Sequence, residues 1–423
     1  MERRAFVAAL GGLPVSWHTE TRSRLESATR RVLDRTPDAV ATDESYWLQV
    51  RQAFTIDANH VNLNSGSVSP APRVVSEAMS RYWTLTNMSP SYYVDELLYP
   101  EVELVRRRLA TTFGCDPEEL ALTRNTSESL QAVQFGLPMA RGDEVISTTQ
   151  DYPRMLTAWR QRARRDGIVL RLVTLPTPPP SMDALAERIL GAITPRTTVI
   201  HLCHMTYTVG QILPVRRICD EARRRGIVTI VDGGHTFAQF PFTRDELGCD
   251  VYGSSLHKWL CAPVGNGLLY VRRPMIARIW PLLAAEAAQD GDIRKFEAIG
   301  TYPIALRTAV ADALTFHEII GGERKAARLR FLRERWMRAV AGIRGVRLLT
   351  PDDPAQACAL GAMAIEGMGA QRLTDELHRR WRIHVRPRFV AGEFECIRVT
   401  PNVFTTLDEI DGFVGAIRVL ANG

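Results

Sequence analysis

With 423 residues, 45% of them hydrophobic and 24% charged, the chain can bury an enzyme-sized core in two lobes and is too apolar for long disordered tracts. Its net charge of +6 does not mark a nucleic-acid binder, because runs such as Arg162 to Arg165 and Arg223 to Arg225 fall on amphipathic helical stretches without a zinc-finger or RNP motif. The lack of any apolar run of about 18 residues argues against a membrane span, and seven cysteines without a CxxC pair read as buried thiols, with neither a disulfide framework nor a metal site.

At the N-terminus, Arg3-Arg4-Ala5-Phe6-Val7 and the apolar residues 8–13 resemble a twin-arginine export signal, although the apolar stretch is short and no A-x-A site follows. A cytoplasmic location is the expectation and export the alternative. Residues 20–36 and 43–54 read as amphipathic helices, followed by the turn-rich Asn62-Leu-Asn-Ser-Gly-Ser-Val-Ser-Pro-Ala-Pro72. Strand candidates then recur at 120–123, 144–147, 169–173, 198–203, 228–232, 251–254 and 267–271, with helices such as 154–166, 182–192 and 214–225 between them. Several of these strands are continuous apolar runs, as strands buried on both faces of a largely parallel sheet must be. Long helices are expected at 303–320 and 322–341, and shorter elements from about 345 onward. The division that follows is an N-terminal arm with helices packing on the small domain (1–58), a large domain (59–325) and a small C-terminal domain (326–423).

Of 53 basic residues only Lys258, Lys295 and Lys325 are lysines, so each retained amine is informative. Lys258 lies in Ser254-Ser-Leu-His-Lys-Trp259, just past a buried strand. An amine there is costly unless paired or captured, and capture as an imine makes it a catalyst. The apolar run 227–231 delivers Asp232-Gly-Gly-His235 at its C-terminal end, where open α/β sheets bind ligands; a carboxylate at that edge can keep a pyridine nitrogen protonated. In Leu120-Ala-Leu-Thr-Arg-Asn-Thr-Ser-Glu-Ser-Leu130 a strand breaks into a helix near Thr126, and the free amides and hydroxyls of such an N-terminus suit a phosphate.

These three elements in this order resemble the class V aminotransferase family of fold-type I pyridoxal-5′-phosphate (PLP) enzymes, most closely its isopenicillin-N-epimerase-like branch, over residues from about 62 to about 411. The resemblance implies an α/β fold: a mainly parallel seven-stranded sheet in the large domain and a small α+β C-terminal domain. It makes Lys258 the Schiff-base lysine and Asp232 the pyridinium partner, with Thr126, Ser127, Ser255 and His257 at the phosphate and His235 near the phenolic side of the ring. Tyr152, in Asp151-Tyr-Pro153, falls where a ring-stacking residue stands, and His204, in His201-Leu-Cys-His204, where a side chain bonds the phenolic oxygen. Thr301, in Phe296-Glu-Ala-Ile-Gly-Thr301, matches a residue reaching the neighbouring subunit's phosphate, which implies a homodimer with shared sites. Arg398, in Cys396-Ile-Arg-Val-Thr400, matches the arginine that binds a substrate carboxylate, and Arg386 and Arg388 lie in a loop able to read a second anionic or polar group on a larger substrate. Segments 84–100, 205–212 and 386–396 are the loops expected to set specificity.

The loop after Arg386 carries no cysteine where desulfurases place a nucleophile, so persulfide chemistry is not expected. The expected activity is a PLP-dependent reaction at Cα of an amino acid or amino-acid conjugate. The alternatives are a C–S lyase or an oxidative or decarboxylative deaminase on a cysteine-type conjugate. Joint retention of Lys258, Asp232 and the phosphate hydroxyls argues against a non-catalytic binding module on the same scaffold.

Overall fold

The computed structural model describes residues 16–422; the arginine pair at Arg3 and Arg4 and the apolar stretch after it lie outside them. The N-terminal helices are α1 (Ser16–Arg30) and α2 (Glu44–Arg51). The single helix expected over 20–36 ends at Arg30, because Pro37 starts a new turn, Pro37–Ala41, whose N-cap Thr36 accepts from the Ala39 amide. These helices do not stand apart. Leu25, Val40 and Trp47 enter the main core, and Pro37–Ala41 lies against the long helix of residues 322–340.

After α3 (Arg73–Met88) and α4 (Tyr99–Phe113) the chain alternates strand and helix. These elements are β1 (Leu120–Thr123), α5 (Thr126–Gly136), β2 (Glu144–Thr148), α6 (Pro153–Asp166), β3 (Val169–Val173), β4 (Thr197–Cys203), α7 (Val215–Arg224), β5 (Val228–Asp232), β6 (Val251–Ser255) and β7 (Gly267–Val271). They form one seven-stranded sheet in the order β1-β7-β6-β5-β4-β2-β3. Neighbours are parallel except at β7, which runs antiparallel to both β1 and β6. Apolar side chains from both faces are buried: Leu122, Ile200, Leu202 and Val231 belong to one core cluster and Val145, Val199, Ile230 and Leu269 to another. Full burial of each such side chain contributes about 1.5–3 kcal/mol. The edge strand β3 differs, with Val169 and Leu172 exposed, which is why its apolar run is interrupted by Arg171.

The helix expected over 303–320 is two, Ile304–Thr308 and α8 (Val310–Ile320), and the Thr308 hydroxyl bonds back to the carbonyls of Ile304 and Ala305 at the break. Helix α9 (Gly322–Val340) leads into the C-terminal lobe. There β8 (Val346–Leu348), β9 (Gly361–Ile365), helix α10 (Ala370–Trp381), β10 (Arg386–Val390) and β11 (Phe394–Val399) precede α11 (Leu407–Asn422). The antiparallel sheet β10-β11-β9-β8 packs on a separate core containing Trp336, Met363, Leu377, Ile397 and Phe413. The two lobes are tied beside the sheet edge: Val61–Asn62 pairs in parallel with Ile383–His384, and Asn64 bridges to Thr400.

The segment 84–100, expected as a loop, is helical. α3 runs to Met88, and the short turns Pro90–Tyr92 and Tyr93–Leu98 join it to α4. The segment 386–396 is a hairpin, β10 turning into β11. Among the described residues no helix is long and apolar enough to cross a membrane, and no group of three His, Cys, Asp or Glu side chains is placed to hold a metal ion.

Candidate active site

β1, β2, β4, β5 and β6 all point their C-terminal ends to one edge of the sheet, and the residues just past those ends line a cavity of about 380 Å³. Thr126 and Ser127 follow β1, Tyr152 follows β2, Cys203 ends β4, Asp232 ends β5, and Ser255, His257 and Lys258 follow from β6. The small lobe closes the other side with Arg386 and Arg388 of β10 and Arg398 of β11, while Gly66 and Ser67 come from the turn after Asn62.

The floor is an anion cradle. Asn125 caps α5 by accepting from the Glu128 amide (3.0 Å), which directs the first turn into the cavity. The Ser255 hydroxyl accepts from the Thr126 amide (2.9 Å) and shares a hydrogen bond with its hydroxyl (2.7 Å), joining β6 to the helix start. The Ser127 amide, in that first turn, has no intrahelical acceptor and carries the positive end of the helix dipole. His257 stands beside it with a buried Nδ1 lacking a partner. Burial and the neighbouring Lys258 charge pull its pKa to about 4.

Lys258, Asp232 and His235 meet above this floor. Burial pulls the Lys258 amine below the ordinary lysine range; Asp232 pulls it back up, and Arg398 and Arg388 push it further down. Burial raises the Asp232 carboxyl, against the Gly234 amide that donates to its Oδ1 at 2.8 Å and the Lys258 charge. His235 is held neutral, first by burial and then by Lys258, Arg398 and Arg388, so its Nε2, 3.4 Å from Lys258 Nζ, can accept from the amine. Gly234 sits among all three elements. A Cβ there would stand 2.9 Å from Asp232 Oδ1, 3.1 Å from Thr126 Oγ1 and 3.6 Å from Lys258 Nζ. This bare backbone leaves room for a flat ring carrying a phosphate, and the donors around it fit such a group.

Arg398 forms the opposite wall. Its NH1 donates to the Tyr207 carbonyl (3.0 Å) and its NH2 to Ser67 Oγ (3.1 Å) and Asn64 Oδ1 (3.3 Å), while Nε is buried without a partner. All these acceptors are neutral. Among the described residues no carboxylate pairs with it, and burial, reinforced by Arg388, lowers its pKa well below the usual arginine value. A buried guanidinium held this way is built to receive an anion. Gly66 makes room for it, since a Cβ there would come within 3.3 Å of the Arg398 Cζ.

Eleven of the thirteen residues singled out from the sequence line this one cavity: Thr126, Ser127, Tyr152, Asp232, His235, Ser255, His257, Lys258, Arg386, Arg388 and Arg398. Tyr152 lies at the lip, 41% exposed, its ring edge-on to Tyr207 at 5.4 Å. The expectation for His204 needs correction. Cys203, the last residue of β4, faces the cavity, whereas His204, just past the strand, does not line it and has its imidazole buried edge-on against Phe240 and Phe242. Thr301 lies outside the cavity, exposed on a second concavity of about 790 Å³ that Tyr99, Tyr302 and Arg307 also line.

The sequence reading left three contributions unassigned. Asn64 and Ser67 hold Arg398; they sat in a stretch recognised only as a turn, though a polar turn directly before the first large-domain helix was the available signal. Asp151 accepts from Ser147 Oγ, Thr148 N and Thr148 Oγ1 (2.7–2.9 Å) and, through its other oxygen, from the Cys203 amide (2.7 Å). That locks the β2 turn presenting Tyr152 to the end of β4.

Residues 61–397 match the family described as Aminotransferase class-V. The chain is 30% identical over 393 residues to an isopenicillin N epimerase of Streptomyces clavuligerus, covering 88% of this chain and 98% of the relative. It is 27% identical over 401 residues to a probable cysteine desulfurase of Xylella fastidiosa (strain 9a5c), covering 88% and 94%. Among solved structures, a cysteine desulfurase from Thermococcus onnurineus NA1 superposes with a TM-score of 0.77 at 22% identity, covering 88% of this chain and 98% of that one, a likeness of fold.

Proposed function

As a member of the class V aminotransferase family, in its isopenicillin-N-epimerase-like branch, the chain is a PLP-dependent enzyme acting at Cα of an amino acid or amino-acid conjugate, and we propose that Lys258 holds the cofactor and moves the Cα proton. The observation that carries this reading is the meeting of an amine, a carboxylate and a helix N-terminus around the bare face of Gly234. When bound, the cofactor supplies an electron sink for negative charge developing at Cα.

The chain's own residues do the rest. Thr126, Ser127, Ser255 and His257 would hold the phosphate, Asp232 would keep a proton on the ring nitrogen, and Tyr152 would cover the ring from the lip. Lys258, buried and therefore more readily neutral than an ordinary lysine, can take a proton from Cα and return it, with His235 Nε2 orienting the amine. Arg398 would fix the substrate carboxylate and so set which Cα bond faces the electron sink. The one cysteine that lines the cavity, Cys203, is kept protonated by burial and by Asp151 and Asp232. With no cysteine in the β10–β11 hairpin before Cys396, persulfide transfer lacks a nucleophile, whereas β-elimination of a sulfur substituent needs none.

The test is to incubate the purified protein with PLP and a panel of α-amino acids and cysteine conjugates, following chirality, keto acid, CO2 and released thiol together. Turnover of at least one substrate at Cα is expected; a holoprotein that turns over none would be a binding module, overturning the reading. In the same assay Arg398→Lys should lower kcat/KM by on the order of a hundredfold while PLP stays bound, because an ammonium cannot copy the two parallel hydrogen bonds of the fork. Unchanged kinetics would place the substrate carboxylate elsewhere.

The working unit proposed is a homodimer. Thr301 is exposed beside Tyr99, and the helix Ile304–Thr308 that follows packs on α3, which exposes Trp83 and Met88. Seating a second copy there would cover this apolar surface and carry Thr301 toward the neighbour's phosphate cradle. Mixing Lys258→Ala with Thr301→Ala subunits should then restore activity above that of either alone; a fully active monomer in sedimentation would refute the shared site.

A further inference from the structure

The cavity carries more positive charge than the proposed chemistry uses. Four cations line it, Lys258, Arg386, Arg388 and Arg398, against one carboxylate, Asp232. Asp232 and Lys258 answer one another. A cofactor phosphate has its own cradle at the start of α5, on the large domain, whereas all three arginines stand on the β10–β11 hairpin of the small lobe. One substrate carboxylate occupies Arg398. Arg386 and Arg388 are left over; Arg386 is exposed to solvent, whereas Arg388 is half-buried.

The hairpin aims Arg388 deliberately. Arg386 lies directly opposite Arg398 and Arg388 opposite Cys396, so alternation puts Arg386, Arg388 and Arg398 on one face. Like charges grouped this way weaken a hairpin unless an anion compensates them. None of the three has an ion pair among the described residues, although arginines elsewhere are widely paired, as in Arg51 with Glu409 and Arg106 with Glu297. Arg388 donates only to the carbonyl of its own neighbour Pro387 (3.2 Å), and its Nε is buried without a partner. Its guanidinium lies 5.3 Å from the centre of the Tyr207 ring, which restricts its orientation before any ligand arrives.

We propose that Arg388 receives a second carboxylate on the substrate, so that the substrate class is an α-amino acid, or a conjugate of one, bearing a carboxylate on its side chain. This rests on the reading of the cavity as an amino-acid site in which Arg398 takes the α-carboxylate. Arg388, on the same face and two residues along β10 from the partner of Arg398, lies where the side chain of such a substrate would extend. The planar fork favours a carboxylate, which it can bind through two parallel bonds.

The experiment compares, with the PLP-loaded enzyme, pairs of nearly isosteric substrates that differ in side-chain charge: glutamate against glutamine and aspartate against asparagine, with larger ω-carboxylate conjugates against their amides. A kcat/KM preference for the acid of about thirtyfold in at least one pair is expected in wild type. Arg388→Gln should bring that ratio close to one, and Arg388→Lys, which keeps the charge and folds as a milder change, should retain part of it. As a binding readout independent of turnover, glutarate should perturb the cofactor spectrum at lower concentration than butyrate in wild type, and the difference should vanish in Arg388→Gln. No preference for any acid over its amide in wild type, or equal loss on both members of each pair in the variants, would overturn the role of Arg388 while leaving the PLP reading intact. Failure of the protein to bind PLP at Lys258 would instead remove the reading on which the proposal rests.

Discussion

Lys258→Ala should abolish turnover, by on the order of a thousandfold or more, since one side chain is asked both to hold the cofactor and to transfer the Cα proton. The structure leaves no substitute amine. Lys295 donates to the Asp290 carbonyl (2.8 Å) and Lys325 to the Trp259 carbonyl, and neither lines the cavity. Borohydride reduction of the PLP-loaded wild type followed by peptide mapping should find the cofactor on the peptide containing Lys258 and on no equivalent site in the variant. A reduced adduct on Lys295 or Lys325 would sink the assignment. Removing the amine leaves Asp232 without its buried cation, so burial raises that carboxyl further toward its neutral form in the variant.

Asp232→Asn should leave PLP bound and slow every reaction passing through negative charge at Cα, by on the order of a hundredfold or a few kcal/mol. The amide keeps the shape of the carboxylate and its contact with the Gly234 amide, but it cannot hold a proton on a ring nitrogen by charge. Near-normal turnover in the variant would mean that the chemistry does not need that proton. The sign of a second effect can be read in the apo protein. Burial lowers the Lys258 pKa and Asp232 raises it again, so removing the carboxylate charge must lower it further. The rate at which an amine-selective reagent modifies Lys258 should therefore begin to rise at a lower pH in Asp232→Asn than in wild type. A shift to higher pH would show that the two groups do not interact as placed.

Much of the scaffold was legible because local rules suffice for it. Each strand of the large sheet was marked by an apolar run, and β1, β3, β5 and β7 begin and end where that run does. Lys258 and Asp232 stood out for the same reason: a polar group directly after a buried strand is expensive and demands a use. Boundaries were misplaced where a single hydrogen bond decided them. Thr36 caps a new helix ahead of Pro37, and Thr308 interrupts what periodicity read as one helix. The helical path through residues 84–100 was missed because its polar and aromatic residues show no amphipathic period, and packing against the neighbouring helices overrides the weak local preference.

The sequence by itself determined the α/β alternation, the residues at the C-terminal ends of the strands and the family to which their motifs belong, since each is written in a window of ten or so residues. Only the tertiary structure decided what those residues face. His204 and Cys203 are adjacent, yet Cys203, at the end of β4, faces the cavity and His204, one residue past the strand, lies against Phe240 and Phe242. Arg398 is held by Asn64, 334 positions away, and Arg388 is one arginine among many until the β10–β11 register puts it on the face of Arg398. Such contacts depend on how two lobes with separate cores close on each other, and no local preference encodes that: the free energy that sets it comes from burial shared between segments far apart in the chain.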